Sequence, residues 1–269
     1  MVLLKILLVP AIILLISVAG RVFGPAVSGL LGGLPVIAGP ILLFLSFEHG
    51  SDFATRATLG ALASVSSLAM FCLVYAHSSL KLHSAGALVM SISAFLLTTI
   101  VFRLTELSSV SGLALALVSI FAGELLMPNV TAPKLEYAIP NREIIFRMLA
   151  AAVLVLSITG ASSLLGPQLS GLLAPFPVAG TVLGGFTHYH YGHAATVGLL
   201  KGFLRGLVGM AIFDFVLLTL TARYGFELAF AIAIICGLLS GAIVAKGLLV
   251  YTKLREGNRE LRSTTGAAL

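Results

Sequence analysis

The sequence has little charge and little sulfur. Only 10% of its 269 residues are charged, whereas 59% are hydrophobic, and the mean hydropathy is +1.11. This composition excludes a water-soluble fold of this length. The two cysteines, Cys72 and Cys236, both lie within apolar runs. The sequence therefore indicates neither a disulfide framework nor a thiolate metal site.

Short motifs of soluble enzymes are also missing. The chain has no GxxxxGKS or GxxxxGKT nucleotide loop, no GxSxG nucleophile elbow and no HExxH zinc motif. We therefore expect no ATP-driven pump, no enzyme active site of these kinds and no cofactor. The net charge of +6 indicates basic loops and contacts with anionic lipids in so apolar a chain. We expect membrane lipids as partners and no nucleic acid.

Long apolar runs are abundant, and they predict an all-α polytopic membrane protein with about nine transmembrane helices. The predicted spans cover residues 3–19, 26–47, 55–76, 82–102, 108–127, 145–161, 168–187, 203–221 and 226–250. With the C-terminus in the cytoplasm, 12 of the 16 basic residues lie on the cytoplasmic side. The positive-inside rule then places the N-terminus outside. The expected location is a cell membrane, most simply the inner membrane of a bacterium.

The chain carries an internal repeat with an offset of 142 residues. Residues 24–36 align with residues 166–178, and eight of the thirteen positions are identical, including matched Gly, Pro and Ser. Five predicted spans precede the second copy, so the two copies cross the membrane in opposite senses. We expect two inverted four-helix repeats, at residues 1–104 and 143–251. A connector span with a cytoplasmic loop occupies residues 105–142, and a polar cytoplasmic tail occupies residues 252–269.

The repeated motif GPxxSGLLxxxPV lies on the second and seventh spans, where its prolines and glycines predict interrupted helices. Interrupted helices at matching positions of two repeats are typical of transport sites. The residues expected to bind substrate are Ser28, Gly29, Pro35, Ser170, Gly171 and Pro177. A kinked helix that packs through small residues remains the alternative.

Asp214 lies near the middle of the eighth predicted span, nine residues from both Arg205 and Arg223. An acidic side chain within the membrane is costly while it is charged, so it indicates a functional role. We predict that Asp214, together with His190, carries a coupling proton. The alternative for Asp214 is a hydrogen-bonded side chain that holds helices together.

Histidines cluster at residues 188–193, and the repeat matches this cluster with residues 47–50, together with Asp52, at the opposite mouth of the protein. Histidine changes charge near neutral pH, so we predict gates at Glu48, His49, His188 and His193. Solvated loop histidines and a divalent metal site remain alternatives. The chain has only ten carboxylates, which argues against metal transport.

Together these features predict a secondary transporter, coupled to protons, that moves a small organic anion or zwitterion by alternating access. A passive channel is one alternative. Another is a membrane enzyme, or an accessory subunit, that acts on a lipid or within a larger complex. The small-residue faces of the helices leave a homodimer open.

Overall fold

The computed structural model describes residues 2–105, 108–130, 138–173 and 176–266, and within these ranges every regular element is an α-helix. Side-chain surroundings are described for all of these residues except 2–6, 103, 159–173, 245 and 248–266. The helices are α1 (Val2–Phe23), α2 (Pro25–Gly33), α3 (Ala38–His49), α4 (Ser51–Ser78), α5 (Ser84–Arg103), α6 (Ser109–Leu126), α7 (Asn141–Leu173), α8 (Val178–Tyr224) and α9 (Phe226–Gly266). The all-α prediction is confirmed.

Several of these helices are suited to a membrane. In the part of the chain that the structure describes, six helical segments are long and apolar enough to cross a bilayer. They are Pro25–His49, Ser51–Ser78, Ser84–Phe102, Ser109–Leu126, Val178–Tyr224 and Phe226–Val244. Large apolar side chains on several helices also point outward, among them Leu15, Leu97, Phe121 and Ile243. These features indicate a membrane-embedded protein.

Two helices differ from the predicted spans in where they are interrupted. The structure has one helix across residues 141–173, which continues past Pro167, and Phe176 and Pro177 lie outside the helices before α8 begins at Val178. It also runs α8 through the histidine cluster, which was predicted to lie between two spans. Gly192 adopts φ 73° and ψ −176°, a conformation open mainly to glycine, so the chain bends there without a loop. We call residues 178–191 α8a and residues 193–224 α8b.

The centre of the fold is a close contact between α2 and α8b. A Cβ atom at Gly29 would overlap the carbonyl oxygen of Leu199, and one at Gly33 would overlap that of Phe203. Conversely, Gly202 lies against the Ala26 carbonyl. Glycines spaced four residues apart on both helices thus let the two backbones touch, as in small-residue packing of membrane helices.

The helix α4 connects two ends of the bundle, which we name by their glycines. At the Gly50 end, α3 finishes at His49 and α4 begins at Ser51. The 28 residues of α4 finish at Ser78, about 40 Å away at 1.5 Å per residue. Ser78 therefore lies at the other end of the bundle, the Gly192 end. There the Tyr75 ring lies beside that of His188, and His77 forms a hydrogen bond with the Leu126 carbonyl at the end of α6.

Candidate functional site

Asp214 lies on α8b inside the protein, with 0% of its surface exposed. Neither carboxylate oxygen has a hydrogen-bond partner among the residues that the structure describes. The adjacent Phe213 and Leu217 pack with Leu42, and Met210 and Ala211 belong to the main apolar core. A buried polar group without a partner is rare and destabilising, so its retention calls for a functional explanation.

The first interrupted span lies beside α8b and α9. Residues 34–37 separate α2 from α3, and Pro35 is buried there, with its Cγ atom 3.3 Å from the position of a Cβ at Gly237. Ser28 is fully buried, and its hydroxyl has no partner in the described part of the chain. The Leu199 backbone occupies the space that a side chain at Gly29 would need. At Gly29 the contact therefore favours helix packing, whereas Ser28 retains an unused polar group.

The second interrupted span is described in part. Pro177 is buried immediately before α8, and its carbonyl accepts a hydrogen bond from the Thr181 N–H at 2.8 Å. Ser170 and Gly171 belong to the α7 helix, but their side-chain surroundings lie outside the described residues. Of the three residues predicted here, Pro177 therefore lies at an interruption of the helix, and Ser170 and Gly171 are described only as part of α7.

The predicted gate residues lie at opposite ends of α4. Glu48 and His49 are exposed where α3 finishes, and the His49 ring centroid is 4.9 Å from that of Phe53. His188 is half-buried at the Gly192 end, with its ring 5.9 Å from that of Tyr75. His193 is exposed nearby. Two of the four predicted gate residues thus lie at each end of the bundle.

His190 lies on the outer surface, away from Asp214 along α8. Its imidazole is exposed and stacks on Phe186 with a centroid distance of 6.2 Å. Twenty-four residues and the Gly192 bend separate it from Asp214. The structure therefore does not bring the two predicted proton carriers together.

Sequence reasoning missed an ion pair inside the Gly192 end. Arg147 is 0% exposed, and its Nη2 atom donates to Glu143 Oε1 at 2.6 Å. The Tyr191 hydroxyl donates to the other oxygen of Glu143 at 2.8 Å. Arg147 also reaches Thr187 Oγ1 at 3.4 Å. The four-residue spacing of Glu143 and Arg147 could have indicated an ion pair on one helix face. The positive-inside rule instead placed Arg147 only among the cytoplasmic basic residues.

A surface cavity of about 310 Å³ adjoins this ion pair. It is lined by Pro140, Arg142, Glu143, Phe146, His190 and Tyr191. Arg142 and Glu143 bring both charge signs to it, and the rest of its wall, including the rings of Phe146, His190 and Tyr191, is largely apolar. Glu143 and Tyr191 belong to both the cavity and the buried network, and they connect the surface with Arg147.

Among the described residues, no group of three or more His, Cys, Asp and Glu side chains is arranged to hold a metal ion. Comparisons of the chain with protein-family models, with curated proteins and with solved structures found no match.

Proposed function

We propose that this chain is a proton-coupled secondary transporter, in which Asp214 carries the proton and two inverted repeats give alternating access to a small organic anion or zwitterion. The observation that carries the proposal is the burial of Asp214, without a partner in the described structure, on a helix that packs against an interrupted span. Protonation removes its charge, and exposure to water allows the proton to leave.

Matching helix boundaries support the repeats. Gly50 and Gly192 are 142 positions apart, and both adopt a left-handed φ, of 87° and 73°. After Gly50 come α4 and then α5, and after Gly192 come α8b and then α9. The helices α5 and α9 begin at Ser84 and Phe226, again 142 positions apart. The sequence offset thus recurs in the positions of bends and helix starts.

Matching contacts support them further. Phe71 on α4 packs against the start of α8a at Gly180, where a Cβ would lie 2.8 Å from its ring. Phe213, 142 positions later, packs against the start of α3 near Gly39. The rings of Phe95 and Phe176 are 6.1 Å apart, and their counterparts Gly237 and Leu34 lie where α9 meets the first interruption.

The direction of two helices supports inversion. Arg21 at the end of α1 donates to Asn141 at the start of α7, at 2.8 Å. Earlier in α1, Leu14 packs in a cluster with Ile144 and Met148. The two helices, which occupy equivalent places in the repeats, therefore run antiparallel, and antiparallel counterparts are the mark of inverted repeats.

The proposal retains nine crossings, with α2 and α3 forming one and the segment from the end of α7 through α8a forming another. It also retains the boundaries at 1–104, 105–142, 143–251 and 252–269, with the final segment at the cytoplasmic face. The Gly192 end is taken as cytoplasmic, because Arg21, Lys81, Arg142 and Arg147 all lie toward it. The N-terminus is then outside, and the membrane is a bacterial inner membrane.

Proton movement in proteoliposomes that contain an internal pH dye tests this function. A set of small carboxylates and amino acids is added outside, and wild type is compared with Asp214→Asn. The control is Asp52→Asn, because Asp52 is the chain's other aspartate and is exposed at the Gly50 end. We expect substrate-dependent proton movement in wild type and in the control, and none in Asp214→Asn.

Equal proton movement in all three proteins would contradict the role of Asp214. Ion flux that requires no substrate and does not saturate would instead favour a channel. Absence of any proton movement, with correctly inserted protein, would count against the coupled transporter and favour an accessory or enzymatic role.

A further inference from the structure

One face of α8a collects polar groups from two neighbouring helices. Gly184, Thr187, His188 and Tyr191 follow the spacing of a single helix face. Gly184 and His188 contact Tyr75 of α4, whereas Thr187 and Tyr191 contact the Arg147 and Glu143 pair of α7. Side chains of α4 and of α7 therefore each contact α8a within about two of its turns.

Three of these groups have unused hydrogen-bonding atoms within the described structure. They are the Tyr75 hydroxyl, Nη1 of Arg147 and Nδ1 of His188. Tyr75 and Arg147 are both 0% exposed, so water at the protein surface does not satisfy them. The guanidinium nitrogen is a donor only, the Tyr75 hydroxyl can donate, and Nδ1 of His188 donates in the protonated ring or in the neutral tautomer that carries the proton on Nδ1. A molecule that complements all three is an acceptor, such as an oxyanion.

We propose that Tyr75, Arg147 and His188 form an oxyanion subsite that binds the carboxylate group of the transported molecule at the Gly192 end. This inference rests on the proposed function, because it names the chemical class of the substrate. Glycine at position 184 makes room for the Tyr75 ring, since a Cβ there would lie 2.7 Å from its Cε1 atom. The surface cavity shares Glu143 and Tyr191 with the hydrogen-bonded network around Arg147.

Charge balance favours a carboxylate over a phosphate. Glu143 already accepts two hydrogen bonds from Arg147, so the pair brings no net charge to the subsite. Burial of a second charge on a phosphate dianion would add a large desolvation penalty. A single negative charge, held by charge-assisted hydrogen bonds, meets a smaller penalty.

Thermal unfolding of the purified full-length chain in detergent tests the subsite. The probes are sodium acetate, propionate, benzoate and phosphate, with sodium chloride at the same ionic strength as the reference. We expect at least one carboxylate to stabilise wild type beyond chloride, and phosphate to have the effect of chloride. In Tyr75→Phe the apparent affinity for that carboxylate should fall roughly 10- to 100-fold, the usual effect of losing one hydrogen bond to a charged group.

Tyr75→Phe is the decisive variant, because it removes a hydroxyl that has no partner in the described structure and so leaves the fold intact. Its control is Tyr224→Phe, at an exposed tyrosine at the Gly50 end. Arg147→Gln should also abolish the response, and Arg205→Gln, which removes a half-buried ion pair with Glu124, should keep it. An unchanged carboxylate response in Tyr75→Phe would overturn the subsite, as would a wild-type response no larger than that to chloride.

Stabilisation by phosphate rather than by carboxylates, if lost in Tyr75→Phe, would overturn the carboxylate assignment. The measurement needs no gradient and no proton movement. A carboxylate response that depends on Tyr75, in a protein that moves no protons in liposomes, would therefore keep the subsite and reject coupled transport. The reverse result would reject the subsite alone.

Discussion

Gly50 and Gly192 form equivalent bends on the two sides of the bundle, with φ values of 87° and 73° and ψ values of 164° and −176°. Gly50 follows the last residue of α3 and precedes the long helix α4. Gly192 lies in the same way between α8a and the long helix α8b. A Cβ at either glycine would meet nothing within 4 Å. The requirement for glycine is therefore conformational rather than steric.

Alanine at either bend should destabilise the fold by about 1–3 kcal/mol, the usual penalty for a residue held in a sparsely populated backbone conformation, here positive φ with ψ near 180°. Gly198→Ala is the matched control, because Gly198 lies within α8b and a Cβ there would come no closer than 3.9 Å to Pro25. That control should stabilise the helix by up to ~1 kcal/mol. Thermal unfolding in detergent compares the three variants. Equal effects at Gly192 and Gly198 would contradict the bend.

Gly29→Ala and Gly202→Ala should each destabilise the protein at least as much as the bend variants do. A methyl group at either position overlaps main-chain atoms of the partner helix, and overpacking of this kind usually costs about 1–3 kcal/mol or more. The same unfolding measurement checks the prediction, with Gly198→Ala again as the control. If the two variants unfold like the control, α2 and α8b are not in backbone contact.

Asp214→Asn should leave the unfolding temperature unchanged or raise it. The wild-type carboxylate is buried without a partner in the described structure, and removing such a group does not break a hydrogen bond. A group kept for function rather than for stability behaves in this way. A marked fall in unfolding temperature would instead show that Asp214 holds helices together, which is the structural alternative.

Glu143→Gln should be strongly destabilising, because it leaves the fully buried Arg147 without its countercharge. Breaking a buried pair on one side typically costs about 3–5 kcal/mol. Restoring neutrality with Arg147→Met in the same chain should recover part of the loss. Glu124→Gln is the comparison at the half-buried pair with Arg205 and should cost no more than about 1 kcal/mol. Similar losses at the two pairs would contradict the burial of Arg147.

Helical features that depend on local residues could be predicted from sequence. The interruption at Pro35 followed from proline and glycine chemistry, and apolar runs predicted most of the long helices. The interruption near Pro177 was expected too, although α7 continues past Pro167 to Leu173. Pro167 lies well inside α7, where a proline removes one backbone hydrogen bond, and nothing in the described structure explains why the helix continues past it.

Features that depend on contacts between distant helices could not be predicted. Gly29 looked like a ligand-binding glycine, and only the position of Leu199 shows that a neighbouring backbone occupies its face. Arg147 looked like a cytoplasmic charge, because its burial depends on how α7 meets α8a. The unused hydroxyl of Tyr75 likewise becomes visible only when α4, α7 and α8a are seen together.

The inverted arrangement is the central claim, and a labelling measurement at Phe47 and Tyr189 tests it most directly. These residues are 142 positions apart, and both are exposed, 58% and 75% respectively. Each is replaced by cysteine in a chain whose Cys72 and Cys236 are changed to Ala, and intact cells are treated with a membrane-impermeant maleimide. The account predicts labelling of Phe47→Cys in intact cells, and of Tyr189→Cys only after permeabilisation. Labelling of both from the same side would contradict it.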